Sequence, residues 1–153
     1  MANKPLSRYS LEEVTLVIGG YDISGGSEGD FISIERKEVG TYVTDASGQS
    51  VFNVNTDYSA EVTITVMQTS PAMRSLAAIL ADQNAATGSG GNMPDLSFRI
   101  YDPNSGAYVQ DRQCAILEAP GHSFGKEATE MEWKFLLPNA YRPGNFAYAP
   151  NIT

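Results

Sequence analysis

The residue types that most often carry chemistry are scarce in this chain of 153 residues. It has one histidine and one cysteine, whereas metal sites and general acid–base sites draw on several such residues or on clustered carboxylates. His122 lies in "APGHSFGKE", where Pro and Gly indicate a loop and no second His or Cys is spaced to join it. The adjacent Ser123 lacks the G-x-S-x-G elbow of a hydrolase nucleophile. We therefore predict no catalytic residue, no metal ligand and no cofactor.

Two glycine-rich stretches have the composition of phosphate-binding loops without their pattern. In "GGYDISGGSEGD" no Lys is followed by Ser or Thr, and Glu28 and Asp30 would repel a phosphate. The stretch "GSGG" follows a helix-like segment instead of opening one, so it lacks the helix N-terminus that holds phosphate. Glu28 and Asp30 also lack the spacing of a calcium-binding helical loop. Both stretches are interpreted as turns.

Glu130 and Glu132 form a pair of carboxylates whose spacing places them on a shared surface. They alternate with apolar residues in "TEMEWKFLL", and a period of two is typical of a strand with one buried face. The segment "AEVTITVMQ" repeats the pattern, with Glu61, Thr63 and Thr65 opposite the apolar positions. The polar sides of these two predicted strands must face water, a partner or a channel.

The same alternation recurs along the chain and predicts a mainly β protein of about six to eight strands. Besides the two strands above, it occurs in "EEVTLVIGG", "GDFISIER", "DLSFRIYD" and "AYVQDRQCAILEA". One segment, roughly residues 70–84, has a helical pattern, with Ser70 as N-cap and Pro71 at the first helical position. Its predicted apolar stripe is Met73, Leu76, Ala77 and Leu80. The sum is a single domain over 1–153, a β-sandwich or partly closed barrel that the helix covers.

Three segments lack a clear period. Residues 1–9 and 139–153 are interpreted as arms, and residues 37–58, which contain the turn "DASGQS", as a projecting hairpin or long loop. The C-terminal arm carries three aromatic residues that are candidate inter-subunit contacts, because a monomer would expose them: Tyr141, Phe146 and Tyr148. The alternative is that this tail folds back on its own core.

The charge balance excludes several classes of partner. Ten Lys and Arg against eighteen Asp and Glu give a net charge of -8, which opposes binding to phosphate polymers and anionic lipid. Cys114, the single cysteine, lies among apolar residues and is predicted to be a buried thiol. The first ten residues lack the apolar core of a secretory signal, and no stretch reaches the roughly 18 apolar residues of a membrane span. We expect a protein that is made in the cytoplasm and has no membrane partner.

Three phrases carry a family resemblance: "YDISGGSEGDFISIER" at 21–36, "SAEVTITVMQTSPAMRSL" at 59–76 and "GHSFGKEATEMEWKF" at 121–135. In that order they resemble the tail tube proteins of contractile-tailed bacteriophages, over roughly residues 10–138. The resemblance implies a structural, non-catalytic subunit of hexameric rings that stack into the hollow tail tube of the virion. It implies an inner barrel of β-sheets with the helix outside. The implied partners are further copies of the chain, the tail sheath protein, baseplate and tail-terminator proteins, and DNA that passes without specific binding.

An acidic lumen would suit such a tube, because a basic one would hold the passing DNA. The candidate lumen-facing residues are the polar positions of the two strands: Glu61, Thr63, Thr65, Glu130 and Glu132. Two alternatives to the phage tail tube are also compatible with the sequence. One is the tube of a related injection machine, a tailocin or a type VI secretion system. The other is a monomeric β-sandwich that binds carbohydrate through exposed aromatics such as Tyr108, Tyr141 and Tyr148.

Overall fold

The computed structural model describes residues 14–23, 32–122 and 124–148. They contain eleven strands and one helix, in the order β1 (Thr15–Ile18), β2 (Tyr21–Asp22), β3 (Ile32–Arg36), β4 (Gly40–Thr44), β5 (Ser50–Val54), β6 (Ala60–Met67), α1 (Ala72–Gly88), β7 (Phe98–Asp102), β8 (Ala107–Asp111), β9 (Ala115–Glu118), β10 (Glu130–Leu137) and β11 (Phe146–Tyr148). The strands form a five-stranded sheet in the order β11-β8-β7-β1-β2, a four-stranded sheet in the order β3-β6-β10-β9, and the β4–β5 hairpin. The predicted mainly β fold with one helix is confirmed.

The four-stranded sheet is built around the longest strand pair. β6 and β10 align antiparallel over eight residues, from Glu130 opposite Met67 to Leu137 opposite Ala60. On both strands every second side chain is buried, because the apolar positions alternate with polar ones along the pleat. β3 extends the sheet beside β6, and β9 extends it beside β10.

One core cluster joins the two sheets and the helix. The five-stranded sheet contributes Leu16, Ile18 and Phe98, and the four-stranded sheet contributes its inward row, which includes Val62, Ile64, Val66, Trp133, Phe135 and Leu137. In the part of the chain that the structure describes, the sheets stay open and do not close into a barrel. The architecture is therefore a sandwich, with more strands than the six to eight expected. The two- and three-residue strands β2 and β11 leave no periodic signal, and the weak pattern in residues 37–58 does not identify β4 and β5 as strands.

Helix α1 packs against β6 and β9. It begins at Ala72, whose N–H donates to Ser70 Oγ at 3.3 Å, and it runs to Gly88, beyond the predicted end near residue 84. Gly90, with φ of 77°, lets the chain close the helix through a bond from Gly91 N to Ala86 O. No helix in the described residues is long and apolar enough to span a membrane.

The buried stripe of α1 differs in part from the predicted one. Ala72, Leu76 and Ile79 are buried, while Met73 and Leu80 are half-buried against the core. These three buried positions are spaced by four and three residues, which keeps them on one side of a 3.6-residue helix. Ala77 is exposed, so the prediction that it faces the core is wrong.

Residues 37–58 form a hairpin, one of the two alternatives the sequence left open. β4 and β5 pair from Gly40 opposite Val54 to Thr44 opposite Ser50. The turn is held by Asp45, whose Oδ1 accepts bonds from Ser47 N at 2.9 Å and Gln49 N at 3.0 Å. Gly40 carries no side chain because the ring of Phe52 occupies the place of its Cβ.

The start of the predicted C-terminal arm returns to the sandwich. Ala140 is fully buried, Tyr141 N donates to Tyr58 O at 3.1 Å, and β11 pairs with β8. Within 139–148, therefore, the structure follows the alternative in which the tail folds back on its own core. The predicted N-terminal arm, residues 1–9, lies outside the described residues.

Candidate functional site

The candidate site is the polar face, defined as the side of the four-stranded sheet that points away from the core. The strand registers place these polar residues on that side: Ser33, Glu35, Glu61, Thr63, Thr65, Glu118, Glu130, Glu132 and Lys134. Three apolar residues, Met67, Ala115 and Leu136, lie on the same side. The aligned rows run across the sheet, for example from Ser33 through Thr63 to Lys134. The sheet thus collects residues from four separate segments of sequence on one surface.

All five lumen candidates from the sequence lie on the polar face. Glu61, Glu130 and Glu132 are exposed, and Thr63 is half-buried. Thr65, directly opposite Glu132, is only 8% exposed. The three carboxylates are therefore exposed to solvent in the single chain, whereas the Thr65 side chain is covered by its neighbours on the sheet.

Glu118 lies on the polar face, although regular alternation along β9 would place its side chain in the core. Ile116 is buried, so strict alternation would turn Glu118 inward as well. A register shift in the β9–β10 pair, between Lys134 and Phe135, inserts one extra residue and reverses the parity. Glu118 then lies opposite Lys134, with 3.6 Å between the Lys134 Nζ and Glu118 Oε2 atoms. No sequence signal marked this bulge.

The polar face is strongly acidic. It carries five carboxylates and a single ammonium group, Lys134, whose ion pair with Glu118 is solvent-exposed and therefore weak. Glu35 lies directly opposite Glu61 across the β3–β6 pair. Like charges in directly opposite positions destabilise a sheet by a few tenths of a kcal/mol up to about 1 kcal/mol. The acidic surface thus comes at a small cost to the stability of the fold.

The single cysteine and the single histidine lie where the sequence suggested, in the core and in a loop. The Cys114 thiol is buried, and burial together with the nearby Asp111 charge raises its pKa to about 12. The His122 ring stacks on the Phe124 ring with 6.1 Å between centroids. The described residues contain no group of three or more His, Cys, Asp or Glu side chains that could hold a metal ion. Ser123, Glu28 and Asp30 lie outside the described residues.

The three aromatic residues proposed as inter-subunit contacts differ in their surroundings. Tyr141 and Phe146 are half-buried and meet edge to face at 5.1 Å. The Arg36 guanidinium lies 4.2 Å from the centroid of the Tyr141 ring and 5.4 Å from that of Phe146, a cation–π arrangement that fixes the tail to the end of β3. Tyr148 is 77% exposed and remains available to a partner.

Solved structures with the same fold belong to contractile injection systems. The chain aligns with the tube-terminating cap of the anti-feeding prophage at a TM-score of 0.55 and 8% identity, covering 91% of this chain and 93% of that one. It aligns with a PVC sheath/tube terminator at 0.52 and 10% identity, covering 90% and 95%. A chain of the PVC sheath–tube complex aligns at 0.50 and 10%, covering 84% and 86%. At such identities the likeness defines the fold class alone.

The family follows from a sequence comparison. Residues 6–140 match the model of the bacteriophage PhiTE tail tube protein family. The chain therefore belongs to this family of structural tail components, which confirms the resemblance drawn from its three phrases. No curated protein sequence matches the chain. The family assigns the chain a structural role in a tail tube.

Proposed function

We propose that six copies of this chain form a ring, and that such rings stack into the inner tube of a contractile phage tail. The match of residues 6–140 to a tail tube family carries the proposal. Ring formation also suits the sheets, because β3 and β2 end their sheets as edge strands that neighbouring subunits can pair or cover. A ring of this kind uses heterologous contacts, which close when the rotation allows and leave the two ring faces free to stack.

We further propose that the polar face lines the lumen and that DNA passes along it into the host. The face is acidic, and phosphates at one charge per about 1.7 Å of duplex axis are repelled by carboxylates and held by lysines and arginines. Glu61, Glu130 and Glu132 are the exposed candidates, and Glu35 and Glu118 join them. A lumen of this charge lets the genome slide without specific binding.

The contacts between copies are assigned to surfaces that a monomer leaves uncovered. The β4–β5 hairpin exposes Tyr42, Val43, Val51, Phe52 and Val54, each more than half accessible. A lone two-stranded hairpin is marginal in water, so a partner surface is expected to cover this one. Tyr148 is a second contact candidate, and the described part of the tail holds it at the edge of the five-stranded sheet.

Charge reversal on the polar face tests the lumen assignment. Phage carrying Glu130→Lys and Glu132→Lys should assemble particles of normal appearance and eject DNA more slowly, because the lumen would then attract phosphate. Asp82→Lys with Asp95→Lys is the matched control, since both residues are exposed and lie away from the polar face. Ejection would be followed by fluorescence of the released DNA. Unaltered ejection from normal particles would exclude these positions from the lumen.

A tube terminator is the second candidate, because two of the aligned structures are a tube-terminating cap and a sheath/tube terminator. Negative-stain microscopy of the purified protein separates the two functions. A tube protein forms rings that polymerise into tubes with a central pore, whereas a terminator forms single rings that stop. A uniform monomer would contradict both.

A further inference from the structure

The outward side of the five-stranded sheet carries a basic cleft on an otherwise acidic protein. Val17, Arg99 and Gln110 stand in one row across β1, β7 and β8, and Arg112 and Asn145 complete the opening of a cleft of about 570 Å³. Arg99 and Arg112 are both exposed. In the described part of the chain neither guanidinium has an ion-pair or hydrogen-bond partner.

The carboxylate beside this cleft is already engaged. Asp111 is 5% exposed, and its two oxygens accept bonds from Gln113 N at 3.1 Å and Asn139 N at 2.8 Å. It therefore braces the end of β8 against the chain that follows β10 and forms no ion pair with either arginine, so two guanidinium groups and one carboxylate leave the cleft with one net positive charge. The cleft presents two guanidinium groups, neither of them in an ion pair, beside an apolar side chain. Such a surface can bind a carboxylate that has apolar groups next to it.

The tip of the β4–β5 hairpin complements the cleft, because it combines a carboxylate with exposed apolar side chains. Of the three carboxylates in residues 37–58, Asp45 lies at the tip, whereas Glu38 and Asp57 flank the base of the hairpin. Asp45 stands at the tip, where the Ser47 hydroxyl and backbone N–H groups hold the pKa of its carboxyl below the usual range. The exposed apolar side chains of both strands follow directly behind the tip.

We propose that the Arg99–Arg112 cleft receives the tip of the β4–β5 hairpin of a second copy of this chain. The assignment rests on the proposed tube function, because it names the receiving surface for a contact between copies. The contact is heterologous, since hairpin and cleft are different surfaces, and it therefore propagates from copy to copy as a ring or stack requires. Opposite charge guides the tip into the cleft, and apolar contact behind it holds the pair.

Two double variants of the full chain test the contact. Arg99→Glu/Arg112→Glu reverses the cleft, and Asp45→Asn/Ala46→Lys reverses the tip while the introduced amide keeps a side-chain oxygen for the turn. Arg74→Glu/Lys126→Glu is the matched control on exposed residues elsewhere. Association is measured by sedimentation velocity at 50 and 300 mM salt, microscopy records rings or tubes, and circular dichroism confirms that each variant is folded.

We expect each reversed variant alone to associate at least about tenfold more weakly than wild type, because like charges then meet. A mixture of the two variants should recover association. The acidic tip of the cleft variant fits the basic cleft of the tip variant, and the basic tip of the tip variant fits the acidic cleft of the cleft variant. Wild-type association should weaken at the higher salt. The control variant should behave as wild type.

Other results would overturn the proposed contact. Sedimentation velocity tests the contact and microscopy tests the tube function, so a failure of one can be distinguished from a failure of the other. Tubes formed equally by wild type and both variants would leave the function standing and remove this contact. Charge-dependent association without rings or tubes would keep the contact and remove the function. Three results would exclude the hairpin of a second copy as the occupant of the cleft. The first is a mixture of the two variants that fails to recover association, and the second is a wild type that stays monomeric. The third is double-stranded DNA that is retained by wild type but not by the variant with the reversed cleft.

Discussion

The β6–β10 pair and the β4–β5 hairpin are both antiparallel strand pairs, but they differ in where their apolar side chains lie. In the β6–β10 pair the apolar side chains of the inward row are buried, and the outward side is mostly polar, with Met67 and Leu136 as half-buried exceptions. In the hairpin apolar side chains point both ways, and all of them are exposed. The core cluster of the described residues includes no residue of the hairpin.

This contrast separates residues that make the fold from residues that are left for assembly. Burying apolar surface yields about 25 cal/mol per Å², so the inward row of β6 and β10 stabilises the single chain. The hairpin obtains that gain only when another surface covers it. Substitutions should therefore change the free energy of unfolding most in the core and least in the hairpin.

The largest effect is expected from Leu76→Asp in helix α1. Leu76 is fully buried, so the substitution places an unpaired charge in the core at a cost of more than about 5 kcal/mol, comparable to the whole stability of a typical domain. The variant should fail to fold by circular dichroism. Ala77→Asp is the control, because Ala77 is exposed and should lose less than about 1 kcal/mol. Equal loss in both would mean that the buried stripe is misplaced.

Leu76 and Ala77 also show how far the sequence predicted the helix. Spacing of apolar residues identified the helix, and most of its stripe is confirmed. Alanine is apolar enough to join a stripe on either flank, so the pattern alone could not assign Ala77 to solvent or find Ile79 as the buried neighbour. Which face of α1 is buried depends on the tertiary contacts that the helix makes with β6 and β9.

The polar face was predictable where strands are long and regular. Eight-residue alternation on β6 and β10 placed Glu61 and Glu132 on the polar sides of their own strands. That these two sides form one surface follows from the pairing of β6 with β10. Glu118 could not be placed, because the bulge that reverses its parity depends on how β9 meets β10. The Arg99–Arg112 cleft escaped notice for a similar reason, since its residues come together only through the pairing of β7 with β8.

A moderate effect is expected from Gln83→Ala, which cuts the link between α1 and the outer edge of the four-stranded sheet. The Gln83 side chain donates to Ile116 O at 3.1 Å and accepts from Ile116 N at 2.8 Å, as a neighbouring strand would. Losing both bonds should cost about 1 to 3 kcal/mol by urea unfolding. Asn84→Ala, at an exposed position, should cost less than about 0.5 kcal/mol. Similar losses would show that the link to β9 contributes nothing.

A smaller effect, confined to alkaline conditions, is expected at Cys114. Its pKa is raised from 9.0 to about 12 by burial and by Asp111, so the folded chain holds the thiol proton more tightly than the unfolded chain. The resulting stability is fully present below about pH 9 and is lost as the pH rises toward 12. Cys114→Ala lacks this component, and its unfolding free energy should fall less steeply between pH 8 and 10.5. Parallel curves for the two proteins would contradict the raised pKa.

The smallest change in unfolding free energy, and the clearest contrast with the core, is expected from Tyr42→Ser/Phe52→Ser in the hairpin. These residues are directly opposite each other in the β4–β5 register, and their side chains are 74% and 59% exposed. The single chain should keep its stability within about 0.5 kcal/mol, while rings or tubes should disappear, because the apolar surface between copies is removed. Tyr42→Phe/Phe52→Tyr keeps both rings and should assemble normally. A Ser variant that assembles as wild type would show that the hairpin is not an assembly surface, and one that unfolds would show that it belongs to the fold.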